Sequence, residues 1–490
     1  MGQASTLRLA ELTGALAHSL DGSNSFRWNY PHVMGLSPTS TAGLGSGVTL
    51  TYSFLEQAPP DRPAVPGFTP FPQSYRSATR AVLEQLSRIA QVTFVEIEGN
   101  RGQLRYGLHP QPTAAGYASP ASYRVSTQAG LVINLEEMAE GGDVWLNSNV
   151  SYDTPALKAG GKGFQTLLHE TLHSLGLKHP FEGTQLLEPV DDHWLTTVMS
   201  YTPPEDNKRI QVSGDPVTGW SWTLEELSMG TPMLGDIAAL QALYGPNRST
   251  GAGNSTYRWE LDAIRRETLW DGSGKDTIDA SNQTEPCRID LREGSLSSIG
   301  VRTDPAAIAA LHRVPANFPL EHLPTGLYTG TNNLSIAFGC LIEQANGGLA
   351  DDVLIGNALG NNLSGGPGAD TLTGGAGKDS FVLKRLSDSL ISAPDRITDY
   401  GSGDRIDAPG GQRRPDGGQW SKPVELKQLN ATTLAGMALA PNGLRAFKLA
   451  GKDSVYLLIG DQKPGFQPDR DAVVELSGLA DSAIGGIQVI

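Results

Sequence analysis

"HETLHSLGLKHP", residues 169–180, decides how the rest of the chain is read. Three of the nine histidines fall inside it. Phe164, Leu167, Leu168, Leu172 and Leu175 recur around it at three- and four-residue steps, the period of one buried helix face. A helix through the segment puts His169 and His173 one turn apart on the same side, where two imidazoles can share one metal ion. Glu170 is displaced around that turn, so it reaches a water on the metal rather than the metal itself. Gly176 can take a positive φ and stop the helix, and Pro180 prevents it from resuming. Between them the chain turns back and brings His179 round as a third ligand. Three neutral imidazoles leave one coordination position open, as a catalytic zinc site requires. An isolated HExxH recurs by chance. Here the third histidine, the glycine and the apolar run all agree.

A second element lies downstream. "TTVMSY", residues 196–201, supplies the methionine that the extended pattern calls for, Met199, followed two positions later by Tyr201. HExxHxxGxxHP followed by MSY resembles the metzincin peptidases, and specifically the serralysins. The resemblance implies an apolar floor under the zinc at Met199. It also implies that Tyr201 reaches the zinc or the developing oxyanion. The expected activity is that of a zinc-dependent endopeptidase with one catalytic zinc on His169, His173 and His179. Zinc lowers the pKa of its bound water from about 15.7 towards 7. Glu170 takes that proton as general base and passes it to the departing amine, and Tyr201 steadies the oxyanion. No serine or cysteine nucleophile is needed.

Glycine is unevenly distributed. Residues 347–382 read as four consecutive nonapeptides, "GGLADDVLI", "GNALGNNLS", "GGPGADTLT" and "GGAGKDSFV". The last two match GGxGxDxUx fully and the first two are degenerate. Each pairs a glycine-rich turn with a very short strand, and Leu354, Leu363, Leu372 and Phe381 would stack inside a parallel β-roll. Oxygen ligands from such turns suit Ca²⁺. The expected ligands are the turn backbones at Gly347, Gly348, Gly365, Gly366, Gly368, Gly374, Gly375 and Gly377, with Asp370 and Asp379. The first repeat offers Asp351 or Asp352, and the second offers Asn361.

These repeats resemble the C-terminal RTX half of serralysins. The resemblance adds Asp271, Gly274 and Asp276 before the roll, Gly339 and Glu343 at its start, and Asp399 at its exit as calcium ligands. Three features depart from the family. Gly251 and Asn254 stand where an arginine and an aspartate are usual. Residues 302–333 form a stretch that the resemblance does not cover, expected on the surface. The apolar end "GGIQVI" lacks the acidic residue that usually precedes such a tail.

The expected fold is α+β. A metzincin-type zinc protease domain of mixed sheet and helices spans 21–248. An all-β parallel β-roll or β-sandwich RTX domain follows at 249–490. The resemblance places a short propeptide at 1–20. Within the first domain, "SGVTLTYSFLE" reads as a strand, "SYRSATRAVLEQLSRIAQ" as a helix and "VTFVEIE" as a strand. "GLVINLEEM" and "GGDVWLNSN" follow, and "LGDIAALQALYG" is a closing helix. The family assigns the edge strand above the cleft to "GGDVWLNSN", where a peptide would add by backbone pairing.

The chain has 490 residues and a formal net charge of −15, which disfavours a nucleic-acid partner. No apolar run approaches a membrane span, and the N-terminus does not read as a cleavable signal. Its two cysteines, Cys287 and Cys340, lie far from the histidines, and their pairing is left open. The resemblance implies a monomeric, extracellular bacterial protein. It would be exported by a type I system through an uncleaved C-terminal signal, act on proteins or peptides, and meet a proteinaceous inhibitor. Two other readings compete. One is a calcium-dependent adhesin or pore-forming RTX protein with an inactive metal site. The other is a zinc hydrolase of non-protein amides. The complete ligand set, the retained Glu170 and Tyr201, and the lack of a pore-forming stretch weigh against the first. Casein tried beside small amides separates the second.

Overall fold

The computed structural model describes residues 3–20, 26–61, 65–413 and 424–490. They form two compact units. The first comprises residues up to 252 together with 265–272 and 312–328, and the second comprises 253–264, 273–311 and 329–490. The junction expected after residue 20 borders residues 21–25, outside the described residues.

The first unit is built on a five-stranded sheet with the order β2-β1-β3-β7-β4. Here β1 is Val48–Phe54, β2 Val92–Glu96, β3 Leu104–His109, β4 Gly116–Ala118 and β7 Asp143–Asn147. The first four in that order run parallel, and β4 is antiparallel to β7. Strand β7 is buried along its whole length, as a strand covered on both faces must be. This corrects the expectation for "GGDVWLNSN": β7 is paired on both sides, and the edge is the three-residue β4. Hydrogen bonds from Asn147 N to Ala115 O and from Ser119 N to Asp143 O fix the register. Alternation then turns the backbone groups of Gly116 and Ala118 away from β7.

The helices follow their apolar periods. Helix α2, Gln73–Ile89, buries Tyr75, Ala78, Val82, Leu83, Leu86 and Ile89. Helix α3, Lys162–Ser174, packs against β4 and β7 and buries Phe164, Leu167, Leu168 and Leu172. Helix α4, Leu234–Tyr244, is apolar on nearly every side and is buried accordingly. Helix α1, Gln3–Leu16, packs on α4 with Leu12, Ala15 and Leu16 in the core. Two hairpins complete the unit: β5–β6, Tyr123–Gln128 with Leu131–Glu137, and β8–β9, Lys208–Asp215 with Gly219–Glu226.

Residues 302–333 lie largely at the surface, as expected from sequence, but 312–328 are anchored to the first unit. Phe318 and Tyr328 are buried. Phe318 packs edge-on against Trp220 and Trp222 of β9, and the backbone pairs with Lys208 through Gly326 O and Tyr328 N.

The centre of the second unit is a coil of three-residue strands in two sheets, beside a short antiparallel pair of Leu296–Ser297 with Leu334–Ile336. One sheet orders Thr256–Arg258, Thr277–Asp279, Gln344–Asn346, Asn362–Ser364, Ser380–Val382 and Arg405–Asp407, all parallel. The other contains Arg288–Asp290, Val353–Ile355, Thr371–Thr373 and Asp395–Ile397 in parallel, continued by longer strands from the C-terminal region. Successive nonapeptides alternate between the sheets, so Leu354 and Leu372 face Leu363 and Phe381 across a core that buries all four. The apolar C-terminus joins this unit: Ile490 N and O pair with Ile406 O and Ala408 N, and Val489 is buried.

Candidate metal centre

Helix α3 carries His169, Glu170 and His173 and ends in a Schellman turn. Leu177 N donates to Leu172 O and Gly176 N to His173 O, with Gly176 at φ 102°. A Cβ on Gly176 would lie 2.3 Å from Phe26 O. Glycine is therefore required both for the turn and for the close approach. Trp28 Nε1 and Tyr244 OH donate to Ser174 O and Leu175 O, two of the helix's last carbonyls.

The turn delivers His179. Its Nε2 lies 3.2 Å from His169 Nε2 and 3.1 Å from His173 Nε2. These three form the one group of three or more metal-ligating side chains found among the described residues. Tautomers follow from the outer partners. His169 Nδ1 donates to Val198 O and His173 Nδ1 to Leu177 O, both at 2.8 Å. Each Nε2 then carries a lone pair. His179 Nδ1 is 2.9 Å from Glu182 Oε1, a close electrostatic contact bent away from hydrogen-bond alignment. Burial pushes His169 down to about 4 and His173 well below its usual value, which disfavours the charged form of both rings. Three imidazole nitrogens this close are the donor set that a single cation would hold together. A tetrahedral ion about 2.0–2.1 Å from each nitrogen separates the nitrogens by about 3.3–3.4 Å. The site therefore fits zinc.

Glu170 is buried, with Oε2 lacking a hydrogen-bond partner among the described residues. Burial raises its carboxyl to about 8. It comes so close to β4 that a Cβ on Gly116 would meet its Cγ at 2.8 Å. Gly116 thus lets the carboxylate stand against the sheet edge, a requirement hidden in the unremarkable "AGYA". Tyr201 is exposed, with its hydroxyl 2.8 Å from His179 Nε2 and its ring stacked on His169. Met199 is fully buried, its N bonded to Thr197 Oγ1.

Sequence reasoning missed Asp236. On buried α4 it accepts from Thr197 Oγ1, Val198 N and Met233 N, and burial raises it to about 6. It locks the Val198 peptide whose carbonyl orients His169. The signal was a single carboxylate in an otherwise apolar helix.

In the second unit each turn aspartate uses one oxygen to accept an N–H from the preceding coil. Asp370 Oδ1 accepts from Asp352 N and Asp379 Oδ1 from Asn361 N. Each repeat begins with glycine because its own aspartate, or Asn361 in the second repeat, fills the space of a Cβ. A Cβ on Gly365 would lie 2.0 Å from Asp370 Oδ2, and one on Gly374 would lie 2.4 Å from Asp379 Oδ2. Gly366, Gly368, Gly375 and Gly377 have positive φ and press on carbonyls of the coil before. In the first repeat Asp352, not Asp351, takes the aspartate position: it is buried and bonds Cys287 N and Gly348 N. Asp351 is exposed and bonds Ala369 N. Gly347 and Gly348 pack on Asp352 and on Gln283 O. Asp399 accepts from Gly374 N and Gly375 N. Glu343 accepts from Asp276 N, and Gly339 N donates to Glu293. Gly274 has φ 143° in this unit, whereas Asp271 is buried in the first.

Burial raises Asp352 and Asp379 to about 6 and Asp370 to about 7, with neighbouring aspartates adding to the shift. Asp370 Oδ2 is buried without a hydrogen-bond partner among the described residues. Carboxylates held beside glycine-rich turns in three of the four repeats, with Asn361 in the other, offer oxygen donors of the kind a calcium ion takes.

A family model described as peptidase M10 serralysin C terminal matches residues 326–414. Metalloprotease AprA of Pseudomonas entomophila is 31% identical over 398 residues, covering 74% of this chain and 71% of that one. Metallopeptidase AprA of Pseudomonas marginalis is 32% identical over 407 residues, covering 75% and 74%. Serralysin C of Dickeya chrysanthemi is 33% identical over 394 residues, covering 74% and 72%.

Proposed function

The chain belongs to the serralysin family of metallopeptidases, and from that premise we propose that it is a secreted endopeptidase that cleaves protein substrates at a single zinc ion. His169, His173 and His179 hold the ion and Glu170 serves as general base. The observation that carries this reading is the convergence of three imidazole Nε2 atoms, with the His169 and His173 rings each turned by a carbonyl on Nδ1. Zinc bound there supplies a Lewis acid and an acidified water. The chain's own residues supply the rest. The outward backbone groups of Gly116 and Ala118 pair with an extended peptide. Glu170, standing against that edge, accepts the water's proton and hands it to the leaving nitrogen. The Tyr201 hydroxyl donates to the carbonyl oxygen as it becomes anionic. Met199 fills the space beneath.

In the second unit, calcium would bind the turn carbonyls of residues 347–377 with Asp352, Asp370, Asp379 and Asn361. Glu343, Asp276, Gly274, Gly339 and Asp399 serve the flanks. The apolar C-terminus serves export by a type I system before the roll folds. A proteinaceous inhibitor would occupy the same edge as substrate.

Two results test the site. His179→Ala lowers the zinc content of purified protein from about one per chain to near none, measured by elemental analysis after gel filtration. Retention of stoichiometric zinc would sink the ligand assignment. Tyr201→Phe lowers kcat by about 10²-fold with little change in KM, because its bond belongs to the transition state. A change confined to KM would move Tyr201 to substrate binding.

A further inference from the structure

Lys178 stands immediately before the third histidine, yet it is 1% exposed. Its Nζ donates to Ala15 O at 2.6 Å, Glu182 O at 2.5 Å and Gln185 O at 2.9 Å. The first carbonyl belongs to the last turn of α1, where a cation is favoured by the helix dipole. The other two belong to the loop that leaves His179. The backbone repeats the link: Lys178 N donates to Leu16 O, His18 N donates to Gly176 O, and Ala17 bridges Leu177. Further along the same loop, Arg8 of α1 pairs with Asp191 at 3.0 Å. Gly14 lies so close to the Gln185 side chain that a Cβ there would collide with it. A buried ammonium is costly unless it is richly hydrogen-bonded, so this lysine fixes the geometry around it.

We propose that Lys178 is a positioning residue for the third metal ligand and that α1 is its permanent anchor. It pins the 178–185 loop to the end of α1. That loop carries Glu182, whose carboxylate faces His179 Nδ1. Residues 3–17 then belong to the working metal site, a role opposite to that of a detachable propeptide. Groups that contact a metal ligand, as Glu182 contacts His179, typically change affinity 10–100-fold when lost. The inference rests on the zinc reading above.

The test uses the full calcium-loaded chain and zinc alone, with apparent affinity measured by competition against a chromogenic chelator. Lys178→Met is expected to weaken zinc binding by about 10–100-fold with an unchanged far-ultraviolet circular dichroism spectrum. Glu182→Gln, at a half-exposed site where folding is not at stake, is expected to weaken it by about tenfold. The double variant should be no weaker than Lys178→Met, because both act on His179 along one path. Folded Lys178→Met with wild-type affinity would overturn the proposal. Wild-type affinity in Glu182→Gln would overturn it too, even if Lys178→Met failed to fold. A wild-type chain that binds no zinc would overturn the zinc reading as well, which separates the two failures.

Discussion

Replacing Glu170 by glutamine lowers kcat on a protein substrate by about 10²–10⁴-fold, the span typical of a general base, while zinc stays bound and the fold is kept. The size follows from its position. Glu170 is enclosed on α3 beside the strand edge, with one carboxylate oxygen unbonded among the described residues. Without metal, burial holds its proton to about pH 8. A dication on the neighbouring imidazoles favours the ionised form and so lowers that value. Glutamine keeps the shape and cannot take a proton. Because Glu170 is not among the converging nitrogens, zinc content should be unchanged. Elemental analysis beside initial rates checks both halves, and a fully active glutamine variant would exclude Glu170 as the base.

Removing calcium at pH 7.5 should melt the roll. Buried Asp352, Asp370 and Asp379 have carboxyls raised to about 6, 7 and 6, and Asp395 is raised well above its ordinary value. Burial is the first cause and mutual repulsion adds to it. A carboxyl with a raised folded pKa binds more protons folded than unfolded. The metal-free roll therefore loses stability as pH rises from about 4 through 6–7. Calcium reverses this by binding the ionised form. Thermal melts followed by circular dichroism should place the calcium-free midpoint higher at pH 5 than at pH 7.5, and the calcium-loaded midpoint the other way round. A chelated roll equally stable at both pH values would contradict the calcium assignment.

Much of this was legible from local pattern. Helix α3 announces itself through Phe164, Leu167, Leu168 and Leu172, and Gly176 marks its end because only glycine fits beneath Phe26 O. The nonapeptides repeat because each aspartate needs the space of a missing Cβ. What was not legible depends on partners distant in sequence. Strand β4 has three residues, too few to show alternation, and only pairing with β7 makes it the edge. Lys178 reads as an ordinary charged residue until its carbonyl partners on α1 and the following loop are seen. Asp351 and Asp352 are adjacent acids, and only the inward pleat at Val353–Ile355 tells them apart. Phe318 finds Trp220 and Trp222 across about a hundred residues of chain.

The central claim is peptide hydrolysis at one zinc held by His169, His173 and His179. Casein cleavage tests it most directly, measured with calcium in excess before and after a zinc-selective chelator, and again after one equivalent of zinc is returned. The account predicts that cleavage is abolished and then restored by that single equivalent. Cleavage indifferent to the chelator, or no cleavage with zinc and calcium both present, would contradict it.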